Sequence, residues 1–280
     1  MILFLLAAAA AAPPPQGEVP PAPPAHTLFD PTPHAELREF APDRPDVTES
    51  PYTVDPGHVQ IELSLAEYAL SRDRTTRTFD ALPVNLKLGL LDNVDIQFIF
   101  TPYERQVTRE EGQRTVDSGF GDETLVRLKI NLQGNDHEGV ALGVMPYVKL
   151  PTGTGGLSNG HVEGGLILPL ATDLPGDFTF GAMLEADFVY HDESGDYGVD
   201  LVHSATLGHP IAGPLNGYVE YVGVAPRGAP AGIASRYQAI ASAGLTYELR
   251  DDLILDVGAR LGFSGDADRA AIFMGAATRF

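Results

Sequence analysis

The chain has 280 residues, 44% of them hydrophobic, and its 38 acidic against 18 basic side chains give a formal charge of −20. That surplus excludes a nucleic-acid partner, because little basic surface is left to offset phosphate. The absence of Cys removes thiolate metal sites, disulfides and thiol redox chemistry, and beyond the N-terminus no apolar run approaches the roughly eighteen residues of a membrane-spanning helix.

Residues 1–12 open Met-Ile-Leu-Phe-Leu-Leu and run into alanines. An apolar stretch that is too short to span and ends in small residues reads as a secretory signal peptide, cleaved near Ala10 to Ala12. No Lys or Arg precedes its apolar core, so the natural start is expected upstream of Met1. Residues 13–39 are Pro-rich and aperiodic, an extended spacer. In 40–57, Arg44, Asp46 and Glu49 stand among Pro42, Pro45, Pro51 and Pro56. This segment is expected either to enter the lower lumen of a barrel as a plug, with Arg44 pairing a carboxylate such as Glu62 or Glu185, or to stay a disordered linker.

From residue 58 to 280 a period-two pattern recurs. Val59, Ile61, Leu63 and Leu65 alternate with Gln60, Glu62 and Ser64. Val84 to Leu90, Val94 to Phe100, Val126 to Leu132 and Val140 to Leu150 repeat the pattern, and so do Val162 to Leu170, Phe178 to Tyr190, Tyr237 to Tyr247 and Leu253 to Phe263. The phase is less clear around 199–208 and 215–224. The last stretch places Ile272, Met274, Ala276, Thr278 and Phe280 on one side and Phe273, Gly275, Ala277 and Arg279 on the other. Together these make about twelve strands of about ten residues, the length a tilted strand needs to cross a bilayer. Connections alternate as well. Those at 92–93, 133–138, 173–177, 209–214 and 250–252 are brief, whereas 71–80, 102–121, 151–160, 191–197, 225–235 and 264–269 read as longer polar loops.

The expected fold class is therefore all-β: a transmembrane antiparallel up-and-down β-barrel of about 12 strands, with the greasy face toward lipid. Its lumen would be lined by Lys87, Arg127, Lys149, Glu163, Glu185, Asp187, Glu220 and Arg260, mixed charges that suit a wet interior. A soluble sheet would use strands of about five or six residues and would have no reason to sort its loops by length. Phe100, Tyr103, Phe188, Tyr190, Tyr247 and Phe280 fall near strand ends as aromatic girdles, although the chain has no Trp.

The stretch Phe-Ala-Pro-Asp-Arg-Pro-Asp-Val-Thr-Glu-Ser-Pro-Tyr-Thr-Val-Asp-Pro-Gly-His-Val-Gln-Ile-Glu at 40–62 resembles the opening of a family of bacterial outer-membrane transporters linked to the meta-cleavage pathway of phenol degradation. Gly119-Phe120-Gly121-Asp122, Met145 to Gly153 and Leu157 to Gly165 resemble it too. The resemblance covers about 40–280 and implies a barrel and a transport role.

Leu157-Ser158-Asn159-Gly160 is the most enzyme-like motif, because outer-membrane phospholipases carry His-x-Ser-Asn-Gly. Here Gly156 stands where the activating His would be, so a Gly-rich loop is the simpler reading. His203 and Ser204 are strand neighbours that point to opposite faces. His191-Asp192-Glu193 and Asp266 with Asp268 lack a recognised Ca²⁺ ligand spacing. No catalytic residue, cofactor or metal site is therefore expected. The expected function is a passive outer-membrane channel for small hydrophobic or aromatic compounds. Its expected partners are outer-membrane lipid, a small-molecule solute, and the barrel-assembly machinery through the strand ending at Phe280. A non-transporting surface-binding barrel is the alternative, and a lipase-like barrel enzyme the second.

Overall fold

Alternation of apolar and polar side chains on a pleated backbone builds thirteen strand segments. In chain order these are β1 (Val59–Leu70), β2 (Thr76–Ala81), β3 (Val84–Leu91), β4 (Val94–Glu110), β5 (Gln113–Gln133), β6 (Val140–Leu150) and β7 (Glu163–Leu174). They continue with β8 (Phe178–His191), β9 (Asp196–Ala212), β10 (Leu215–Arg227), β11 (Gln238–Arg250), β12 (Leu253–Ser264) and β13 (Ala270–Arg279). The computed structural model describes residues 26–191, 195–227, 237–265 and 267–280, with only the backbone of residues 122 and 123. The expected signal peptide, the spacer as far as residue 25, and Asp192, Glu193 and Asp266 lie outside the described residues.

β2 and β3 are two halves of one wall strand. β1 pairs Leu70 with Arg77 and Ala66 with Ala81, then Leu63 with Val84 and Val59 with Leu88. β4 pairs both halves on the other side. The break falls at Leu82-Pro83, where Leu82 takes a positive φ of 58° and the proline has no N–H to give the ladder. With the halves counted as one, twelve antiparallel strands follow in order, and β13 returns to pair with β1 from Gln60–Arg279 to Leu70–Ala270. The sheet closes and leaves no edge.

Two expected loops are strand instead. β4 runs on to Glu110 and β5 begins at Gln113, so most of 102–121 is a hairpin turning at Glu111-Gly112, both at positive φ. The cross-strand pairs Val107–Val116 and Thr108–Thr115 carry the ladder outward. Backbone pairing and β-branched neighbours sustain a sheet where no apolar face is required, so the loss of the apolar alternation does not end the strand. Phe100 and Tyr103 accordingly lie within β4, not near its end. Residues 76–80 of the expected loop 71–80 belong to β2 for the same reason.

The burial pattern is the reverse of that in a soluble protein. Leu184 and Ile272 are 62% exposed, and Leu168, Phe188, Leu261 and Phe263 are exposed with them, whereas Lys129, Asp95 and Gln97 are fully buried. A closed sheet with every ladder paired internally and an apolar outer face is what a bilayer requires. Among the described residues no helix is long and apolar enough to cross a membrane, so the crossing is made by strands.

Candidate functional site

The interior is occupied by the chain that precedes β1. At one rim, where the short turns lie, the Leu28 amide bonds the Leu90 carbonyl at 2.8 Å. Arg38 Nε pairs Asp55 at 2.7 Å, and Arg279 reaches the same carboxylate at 3.2 Å from the inner face of β13. Arg279 also lies over the Phe40 ring, 5.6 Å from its centroid. The inward side of the last strand thus supplies a cation to the entering segment.

Deeper in, Asp43 is the centre of a buried charge cluster. It pairs Lys87 of β3, accepts Lys129 Nζ of β5 at 2.7 Å, and takes the Ser50 amide at 2.9 Å. Burial opposes ionisation of Asp43, but the ammonium groups of Lys129 and Lys87 more than offset it and hold the carboxyl well below the usual carboxylate range. Glu62 of β1 pairs Lys87 and receives the amides of Asp43 and Arg44 at 3.1 and 3.2 Å. The Arg44 side chain therefore turns elsewhere. It does not pair Glu62 or Glu185: the guanidinium makes two bonds to Asp256 of β12, at 2.7 and 3.0 Å, and one to Ser64 of β1 at 2.6 Å. With Glu62 already committed to Lys87 and to backbone amides, Asp256 is the carboxylate that can accept the planar fork.

Across the lumen Glu220 of β10 caps the next turn of the segment, accepting the amides of Val47 and Thr48 at 2.9 and 2.7 Å. Thr48 Oγ1 also meets Ser204 Oγ at 2.7 Å, on the inner face of β9. Asp46 keeps some accessible surface toward a cavity of about 140 Å³ that it lines with Thr206, yet it is enclosed by the barrel. Burial, with Glu220 nearby, holds its carboxyl well above the usual carboxylate range. Glu49 pairs Arg127 of β5, and Asn131 donates to the Pro51 carbonyl at 3.0 Å. The wall yields where the segment leans on it: a Cβ on Gly89 of β3 would collide with the backbone of Asp55.

Of the sequence-expected lumen residues, Lys87, Arg127 and Glu220 grip this segment. Lys149 and Glu163 pair each other at 3.1 Å across β6 and β7, and Asp187 accepts the Tyr147 hydroxyl. Arg260 pairs Glu67 with its guanidinium 4.8 Å from the Phe273 ring centroid, and it lines a separate cavity with Glu185. Asp43 and Lys129 were not among the expected site residues, although Lys129 stands in the same polar row as Arg127.

One patch of the interior is apolar. Met145, Ile167 and Met183 are buried together on the inner faces of β6, β7 and β8, with Val47, Tyr147 and Val202 against them. All three stand in the polar phase of their strands, which is the signal that could have found them. Next to this wall, on the side of the barrel with the longer connections, lies the second cavity, of about 470 Å³. Val47 of the inserted segment forms part of its lining.

The loop motifs pack without a nucleophile–base pair. Ser158 Oγ accepts the Gly160 amide at 3.1 Å, while the His161 ring stacks on Tyr190 at 3.4 Å. His203 reaches Tyr237 at 3.0 Å on the outer face, away from Ser204. Among the described residues no group of three or more His, Asp or Glu side chains could hold a metal.

Twelve closed antiparallel strands, an apolar outer belt and a buried charged interior define a β-barrel of the bacterial outer membrane. The chain belongs to the family described as "Putative MetA-pathway of phenol degradation", whose sequence profile matches residues 42–280. No curated protein sequence matches it. Among solved structures, an outer-membrane channel from Pseudomonas putida F1 superposes with a TM-score of 0.60 at 12% identity, covering 86% of this chain and all of that one. The NanC porin gives 0.48 at 11% identity, over 77% of this chain and 98% of that one. The translocator domain of the autotransporter NalP from Neisseria meningitidis gives 0.46 at 11%, over 80% and 88%.

Proposed function

We propose that the chain is a passive outer-membrane channel for small hydrophobic or aromatic compounds, and that residues 40–57 are its plug. The observation that carries the reading is the way the segment is seated. Beside the packing of Val47 on the apolar cluster, it meets the wall through ion pairs and hydrogen bonds from Asp43, Arg44, Thr48 and Glu49 to side chains of β1, β3, β5, β9, β10 and β12. Water in a lumen can replace such contacts one by one, whereas a segment fused to the wall by apolar burial would have no comparable way out. Twelve strands lie between the roughly eight that side chains fill and the roughly sixteen that leave an open aqueous channel, so a part-obstructed lumen fits this size. The aromatic class of solute follows the family description, and the apolar inner wall is compatible with it. Phe280, at the end of β13, is the proposed signal to the barrel-assembly machinery.

Single-channel recording in planar bilayers, with and without residues 40–56, tests both parts. The full chain should conduct weakly, and the deleted chain should show a larger steady conductance. Equal conductance means the segment is no plug, and no conductance from either chain leaves a surface-binding barrel.

A further inference from the structure

The cavity of about 470 Å³ is lined in part by Val202, Val222, Val224 and Ile240, with Val47 of the inserted segment. Polar side chains stand among them, with Glu185 the cross-strand neighbour of Val202 and Gln238 that of Val224, and carboxyl groups outnumber cations. Glu67, Glu185 and the rim residue Asp268 supply three carboxyl groups, and among the described lining residues Arg260 supplies the one guanidinium. That guanidinium is already engaged: it pairs Glu67 and rests over the face of Phe273. Gln238, the remaining polar side chain, can donate or accept.

We propose that this cavity is the solute site of the channel and that it selects neutral or cationic ring compounds bearing hydroxyl or amino groups over ring compounds bearing a carboxylate. The inference rests on the channel reading given above. A single ring is small beside a cavity of this volume, and it has an apolar face for the valine and isoleucine side chains. Its O–H or N–H groups find acceptors in the carboxyl groups and in Gln238 of the same lining. An aromatic carboxylate of the same size meets acidic side chains, and the one guanidinium among the described lining residues is held by Glu67. Like-charge juxtaposition of this kind discriminates more strongly than it binds.

The test is equilibrium dialysis of the full chain in detergent against catechol and against benzoate, corrected for micelles alone, with heat-modifiable gel mobility as the check of folding. Catechol should bind saturably at one site, and benzoate at least about tenfold more weakly. Glu67→Gln releases Arg260 and should strengthen benzoate binding severalfold, narrowing the gap. Asp268→Lys, placed in a connection outside the strands, should do the same even if Glu67→Gln fails to fold. Catechol that does not bind, benzoate that binds as tightly as catechol, or a gap unchanged in both variants overturns the inference. Conductance is recorded on the same preparations. A conducting chain without discrimination sinks the site alone, and discrimination in a chain that never conducts sinks the channel alone.

Discussion

Asp43→Asn isolates the contact on which plug seating should depend most. In the seated segment the Asp43 carboxylate receives Lys129 through both oxygens, at 2.7 and 2.8 Å, along with Lys87, the Ser50 amide and the Ser50 hydroxyl at 2.6 Å. The neutral amide keeps the shape but not the charge. Lys87 retains Glu62, while Lys129 loses the carboxylate that both of its short contacts reach. Removing one partner of a buried ion pair costs about 3–5 kcal/mol. The cost falls on the seated state alone, since an unseated segment lets both ammonium groups hydrate. The retained Glu62 pair places the expectation near the lower end, about 3 kcal/mol, which is roughly a hundredfold in the seated-to-unseated ratio. Open probability in single-channel records should rise by that factor up to saturation. Asp73→Asn makes the same change of charge on an exposed connection and serves as the control. An Asp43→Asn channel whose open probability stays within about threefold of the parent, a range that small structural adjustments alone can produce, would refute the claim that this cluster seats the plug.

Gly89→Val should unseat the segment with every ion pair still available, because the new side chain occupies the position of the Asp55 backbone; an unchanged conductance would show that the segment does not need that wall. Seating should also weaken as pH rises. The seated Asp46 carboxyl holds its proton above the ordinary carboxylate range, so its contribution is fully present below about pH 3.9, the free Asp value, and is lost progressively as pH climbs through the raised seated value. Open probability should therefore increase over that interval, and the increase should be smaller in Asp46→Asn. Asp43 shifts the other way, and its own loss of seating falls below the same interval.

Period-two patterning was enough for the barrel, because strands facing lipid on one side and water on the other must alternate. It failed where that condition lapses. The outer stretch of the β4–β5 hairpin is wet on both faces, so its strands carry no apolar row and read as loop. In β6, β7 and β8, Met145, Ile167 and Met183 stand on the inner face, where alternation implies polar residues. The segment before β1 was legible as stiff, charged chain but not as to partners. Whether Arg44 meets Glu62 or Asp256 depends on which carboxylate other donors have already taken, and that competition is set by three-dimensional neighbours 212 residues apart in sequence.

Arg44 bonds Ser64 near the start of the barrel and Asp256 near its end, and the Phe280 carbonyl receives both the Val59 amide and the His58 ring. The place where the wall is stitched shut is thus also a place where the inserted segment is anchored. Contacts spanning nearly the whole chain form late in folding, since the intervening polypeptide must first be in order. Closure of the wall and anchoring of the inserted segment consequently go together. On the proposed reading of residues 40–57 as a plug, a half-built copy has no seat for its stopper, and a finished copy leaves assembly with the lumen already narrowed, which limits the leak each time a new copy is installed.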